Sequence, residues 1–203
     1  WSNDFEGTGF TFAMPVVYPW SWTWNWYDFE PGDYRWFYNG LLVGGNAGRH
    51  TPNNIPIIPF VHWHTVDVGT CEEATPSPAK SAKAEQMSEW AYQEILWHLL
   101  LRGSDTFFLW CTAEENAKEV ELLHPVWAAA QEYGGFLERG TPICFDVPSK
   151  PGPVISGLRM GNRVLVRRTD FTDDKKPVSI QVAGKTLEIP AAPGQCRIFE
   201  IKD

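Results

Sequence analysis

Apolar residues recur at three- and four-residue intervals after Met87. Tyr92, Ile95, Leu96, Leu99 and Leu100 form one stripe, which predicts an amphipathic helix. Ser88 stands where an N-cap belongs, and Gly103 stands where a helix is closed by a left-handed residue. Only Ser104 and Asp105 then separate the helix from the apolar run Thr106–Trp110, which predicts a fully buried strand. A helix returning through so short a loop into a buried strand is half of a βαβ unit, the unit of parallel sheets. Met87–Trp110 is therefore the stretch around which the chain is organised.

The same pattern recurs upstream. Phe12–Pro19 and Ile55–Val68 read as strands, the second with Pro56 and Pro59 at its start. Asp33–Val43 reads as a helix leading into Gly44, Gly45 and Gly48, and Gly69–Gln86 as a long loop of low apolar content. Downstream, Asn116–Tyr133 is helical in pattern, with Val120, Leu123, Trp127 and Ala130 on one face. Pro125 within it either kinks the helix or begins a second one, and Gly134–Gly135 ends the helical stretch. Near Thr141 the periodicity changes. Arg163–Thr169, Val178–Val182, Thr186–Ile189 and Cys196–Ile201 are short β-prone runs. Gly161–Asn162, Asp173–Asp174, Gly184–Lys185 and Pro193–Gly194 punctuate them. The expected fold class is α/β: late βα units of a (β/α)8 TIM barrel over residues 1–140, then a small antiparallel β-sandwich-type domain over 141–203. Three units cannot close a barrel, so a further N-terminal segment or a second chain is expected to complete it; an independent doubly wound domain is the alternative.

Composition sharpens this picture at two points. The chain has 203 residues, 11 of them tryptophan, and several of these indoles stand in polar, Gly/Pro-rich stretches where no core pattern requires them. The formal net charge of −8, with scattered basic residues, argues against a nucleic-acid partner. No run is apolar and long enough to suggest a membrane span. The four cysteines, Cys71, Cys111, Cys144 and Cys196, lack a compact metal spacing; they allow disulfides or buried thiols. The chain begins at Trp1 with neither an initiator methionine nor a signal peptide, so a processed or truncated product is expected.

Candidate chemistry gathers near the carboxyl ends of the predicted strands, where parallel α/β folds bind ligands. Trp20, Trp22, Trp24 and Trp26 alternate with Ser21, Thr23 and Asn25, which places four indoles on one face of an extended edge or packs them in a loop over the barrel mouth. An aromatic platform suits the apolar face of a sugar ring, and neighbouring polar groups suit its hydroxyls. His62 and His64 share a strand face, with Trp63 pointing the other way and Asp67 further along. A His-x-His pair can ligate metal, but no nearby carboxylate-rich motif completes it; hydrogen bonding of a polar substrate is the preferred role, and neither a metal nor another cofactor is expected.

MPVVYPWSW (Met14–Trp22), IPFVHWHTVD (Ile58–Asp67) and LLLRGSDTFFLWC (Leu99–Cys111) resemble the late strands of barrel glycoside hydrolases, most of all the hyaluronidase and chitinase-like group. In that group the sixth strand ends in a tyrosine near the sugar, which Tyr18 matches. The eighth strand ends in a tryptophan that floors the cleft, which Trp110 matches. The small β module also resembles the accessory modules that follow such barrels. The resemblance implies a glycosidase acting on a polysaccharide or oligosaccharide, in an extracellular or periplasmic setting. With the aromatic pattern, it makes Tyr18, Trp20, Trp22, His62, Trp63, His64, Asp67 and Trp110 the expected substrate-binding residues. One departure bears on catalysis. Glycoside hydrolysis usually needs two carboxyl groups roughly 5–9.5 Å apart, or one with a substrate acetamido group as nucleophile, and in the resembled group the acids sit in an acidic motif on an earlier strand. That motif is not in this chain, and the strand-seven position that carries a glutamate nucleophile in a related clan reads His62-Trp63-His64. The catalytic acids are therefore expected in a further segment. Asp28, Glu30, Asp67, Glu114 and Glu115 are the fallback acids, each otherwise a solvated loop charge. A carbohydrate-binding protein without catalysis is the second reading, and a metal-dependent hydrolase using the two histidines the third.

Overall fold

The computed structural model describes residues 9–17, 33–64, 86–110, 114, 116–192 and 194–201. Within them the chain is mixed α/β. Strand β1 (Val16–Val17) leads to helix α1 (Asp33–His50), β2 (Phe60–Val61), α2 (Glu89–Leu100), β3 (Phe108–Leu109) and α3 (Asn116–Ala130). A 3-10 turn and the short helix α4 (Gly134–Arg139) follow. Strands β4 (Thr141–Pro142), β5 (Pro153–Met160), β6 (Arg163–Asp170), β7 (Val178–Val182), β8 (Lys185–Ile189) and β9 (Cys196–Glu200) complete the described chain.

Strands β1, β2 and β3 form a parallel sheet in chain order. Asp105 ties its start together: its carboxylate accepts the Ile57 N–H at 2.8 Å, and its own N–H donates to Ile57 O at 2.9 Å. The register sets Val16, Phe60 and Phe108 across one row and Val17, Val61 and Leu109 across the next. The second row packs into the main core with Phe37, Leu41, Tyr92, Ile95 and Leu96 of the helices. The first row is uncovered: Val16 is 47% and Phe108 49% exposed. This corrects the expectation of a fully buried strand at Thr106–Trp110, because among the described residues helices cover only one face of the sheet.

Helix α2 lies at the centre. Ser88 caps it as its sequence predicts, accepting the Ala91 N–H at 3.1 Å, and Gly103 takes φ +100° just beyond its end. It is buried on nearly every side, including Glu94, Trp97 and His98 outside the apolar stripe. Helix α1 runs through Gly44, Gly45 and Gly48 rather than stopping at them. These glycines serve contact: a β-carbon at Gly44 would come within 2.2 Å of Leu99 Cδ2, and one at Gly48 within 2.1 Å of the Arg102 carbonyl oxygen. Pro125 sits inside one continuous α3, and Gly134–Gly135, expected to end the helical stretch, instead begin α4. The buried residues of α3 are Glu119, Leu122, Val126 and Ala130; Val120, expected inward, is exposed.

The β-prone runs after Thr141 form as predicted, with Thr141–Pro142 and Pro153–Met160 as additional strands. The antiparallel order is β4-β5-β6-β9, with β7-β8 a separate hairpin. Ala183 and Gly184 both take positive φ (51° and 75°), the geometry a two-residue hairpin turn requires. Alternation along β5 and β6 divides the four-stranded sheet between two neighbours. Ile155, Val164 and Val166 pack with Val182 and Ile189 of the hairpin. Val154, Ser156, Leu158, Leu165, Arg167 and Thr169 meet the helices.

A buried polar chain joins α2 to this sheet. Arg102 Nε donates to Ser156 Oγ at 2.7 Å, and Ser156 Oγ lies 2.7 Å from His98 Nδ1. His98 Nε2 lies 2.9 Å from Thr169 Oγ1, whose hydroxyl donates to Glu94. Arg167 Nε closes the chain on Glu94 at 2.9 Å. Arg102 also donates to the carbonyls of Phe145 (2.9 Å) and Asp146 (3.0 Å). Burial lowers its pKa to about 10, which still leaves it charged at neutral pH. Breaking a buried, charge-assisted bond of this kind typically costs about 3–5 kcal/mol, because its partner is left buried and unpaired.

Candidate functional site

The carboxyl ends of β2 and β3 bring His62, Trp63, His64 and Trp110 together with one residue from α3. Parallel register places Trp110 beside the end of β2: its N–H donates to Val61 O at 3.1 Å, and its ring centroid lies 5.7 Å from that of His62. Trp110 is 43% exposed, an indole presented to solvent at a strand end.

The residue from α3 is Glu119. Its side chain is 0% exposed, while those of His62 and His64 are 4% and 27% exposed. Glu119 Oε1 lies 3.1 Å from His62 Nδ1 and 2.8 Å from His64 Nδ1. The same carboxylate accepts the backbone N–H of Trp63 at 2.8 Å and of His64 at 3.1 Å. The backbone just past β2, where the ladder has stopped supplying partners, is therefore closed by a side chain from the helix that follows β3. A carboxylate held by N–H groups cannot rotate freely, and it fixes the orientation of any imidazole bonded to it.

Trp63, expected to point away from the imidazoles, instead meets His64 edge to face, with ring centroids 4.8 Å apart. Its indole N–H donates to Met87 O at 2.8 Å, and its ring packs against the helical core, so it anchors the chain leading into α2. Of the other expected site residues, Tyr18, Trp20, Trp22 and Asp67 lie outside the described residues, as do Asp28, Glu30 and Glu115 among the fallback acids. Glu114 is an exposed turn residue. Of the cysteines, Cys144 and Cys196 are free thiols; burial pushes the first up to about 11 and raises the second, so both are protonated and unreactive at neutral pH.

No family model matches the chain, and neither a curated protein nor a solved structure matches it. The site therefore rests on its own geometry.

Reading for apolar stripes passed over Glu119. Its position carried a signal nonetheless: it precedes Leu122 by three residues and Val126 by seven, so a carboxylate falls in register with a buried stripe. An acid so placed must meet a polar partner inside the fold.

Proposed function

We propose that this chain supplies the aromatic, sugar-binding half of a glycoside hydrolase cleft, acting on a polysaccharide. Its three βα units would be late units of a (β/α)8 barrel, with the later strands forming a sandwich-type accessory module. The observation that carries this reading is Trp110, half-exposed at the carboxyl end of a parallel strand and set against the His62 imidazole. A half-exposed indole at a strand end offers a flat apolar face to a pyranose, and the neighbouring imidazoles offer hydrogen bonds to hydroxyl or acetamido groups. Parallel strands in chain order, each followed by a helix where the chain is described, support the barrel. Among the described acids in and just before α3, Glu119 is enclosed, and Glu114 and Glu121 are exposed to solvent. None of the three is placed as half of a catalytic pair, so the acid and nucleophile are assigned to a further segment or partner chain. Action on polysaccharides places the protein outside the cell or in the periplasm.

The same observation about these acids favours, as second reading, a carbohydrate-binding protein without catalysis, and one experiment separates the two. The protein is incubated with polysaccharides while bound glycan and released reducing ends are both measured. Hydrolysis predicts new reducing ends, and Trp110→Ala should lower kcat/KM or affinity about 10-fold or more with an unchanged melting temperature. Saturable binding without new ends identifies the second reading. If neither appears, or if both signals survive Trp110→Ala, the carbohydrate assignment fails.

A further inference from the structure

We propose that His62, His64 and Glu119 form a binding site for a divalent transition-metal ion, with zinc as the first candidate. The inference goes beyond the carbohydrate reading and stands without it. Two imidazoles and one carboxylate are a recurrent three-residue ligand set for such ions, and imidazole selects zinc, cobalt, nickel or iron over calcium and magnesium.

The geometry fits an ion. One ligand atom from each residue lies within 4.8 Å of the other two, and Nδ1 of His62 and of His64 lie 3.1 and 2.8 Å from Glu119 Oε1. Ligands bound at about 2.1 Å lie about 3.0 Å apart at right angles and about 3.4 Å apart at tetrahedral angles. Three donors at these separations already surround a position that an ion can take with shifts of a few tenths of an ångström.

The electrostatics point the same way. Glu119 is completely enclosed, and its ion-pair partners among the described residues are these two imidazoles. The neighbouring cation, Lys118, is engaged by Glu89 at 2.6 Å and Glu121 at 3.2 Å instead. A buried carboxylate is stable when paired or bound to metal. A divalent ion would also relieve the crowding of two ring nitrogens and two backbone N–H groups on one oxygen. Those N–H groups, from Trp63 and His64, hold the carboxylate in place as outer partners do in metal sites. The His64 side chain is 27% exposed, so the site is open to solvent at that ligand, and the Trp110 ring stands 5.7 Å from that of His62. Three protein ligands leave coordination positions for water or a substrate oxygen, the arrangement of a reactive rather than a sealed structural ion.

The test is equilibrium dialysis and calorimetry of the chelator-stripped full chain with Zn2+ and, separately, Co2+. One ion should bind per chain, Co2+ should produce a visible ligand-field band, and Zn2+ should raise the melting temperature. Glu119→Gln and His64→Gln should each weaken binding by more than the roughly 10–100-fold lost when only an outer-shell partner is changed. His64 is partly exposed, so His64→Gln retains the fold even if Glu119→Gln does not, and circular dichroism verifies this. Failure of both ions to bind stoichiometrically overturns the proposal, as does binding that His64→Gln leaves unchanged. The cluster is then a carboxylate that orients two imidazoles by hydrogen bonds alone.

Discussion

His98 is a buried imidazole whose protonation state is fixed from both ends. Arg102 can only donate, so Ser156 Oγ accepts from it and gives its own proton to His98 Nδ1. Glu94 as a carboxylate can only accept, so Thr169 donates to it and receives the His98 Nε2 proton. Both constraints select the neutral Nε2–H tautomer. Desolvation first, then the positive charges of Arg102 and Arg167, hold the His98 pKa well below its usual value. The sign of the consequence follows directly. The unfolded chain takes up a proton near pH 6.5 and the folded chain resists it, so the contribution of His98 is intact above that pH and is lost as pH falls below it. Urea midpoints should drop between pH 7 and 5, by up to about 1.4 kcal/mol per pH unit from this one group. His98→Gln should lower stability at pH 8 yet flatten the slope below pH 6.5. If the slope is as steep in the variant, the acid sensitivity arises elsewhere. None of this was legible in the sequence: His98 looks like any polar residue on a helix, and its partners lie 58 and 71 positions away.

At the scale of elements, α2 was legible because its cap, apolar stripe and closing glycine agree on one helix. α1 was not, because a glycine reads as a stop when local conformation alone is considered. Gly40, Gly44 and Gly48 recur at four-residue spacing, one face of a helix, and that face meets α2 closely. Substitution at two of them should differ in cost. At Gly48 the new methyl meets backbone, the Arg102 carbonyl oxygen at 2.1 Å, which can yield only if α1 and α2 separate. At Gly44 it meets the end of the Leu99 side chain at 2.2 Å, which can change rotamer. Alanine also gains about 1 kcal/mol in helix propensity at either position. Gly48→Ala should therefore destabilise by about 2–3 kcal/mol and Gly44→Ala by about 1 kcal/mol or less, as read by urea denaturation. Equal costs, or a stabilised Gly48→Ala, would show that the helices do not approach so closely. Strand β5 escaped the sequence reading for a related reason. Val154 and Ile155 are both inside, facing opposite neighbours, so the polar–apolar alternation that marks a half-buried strand is missing. Glu119 hid in the opposite way, as an acid occupying an apolar position.

At the scale of the whole molecule, the parallel sheet has, among the described residues, one finished face and one bare one. Val17, Val61 and Leu109 face the helices, while Phe60 and Phe108 stack on each other, ring centroids 4.6 Å apart, in the row that begins with exposed Val16. Parallel sheets are covered on both faces in folded proteins, and inside a closed barrel this row would be interior. The proposed barrel thus makes a claim about energetics that needs no substrate. If further strands enclose the row, Phe108 is a core residue in the complete protein and a surface residue in residues 1–203 alone. Phe108→Asp should then cost about 3–5 kcal/mol in the complete protein, from lost packing and a buried charge, and less than about 0.5 kcal/mol in the isolated 203-residue chain. Paired denaturation curves give the difference directly. A small cost in both would mean that the aromatic row faces water or a ligand in the native protein, and the cleft would then extend along the sheet face beyond Trp110.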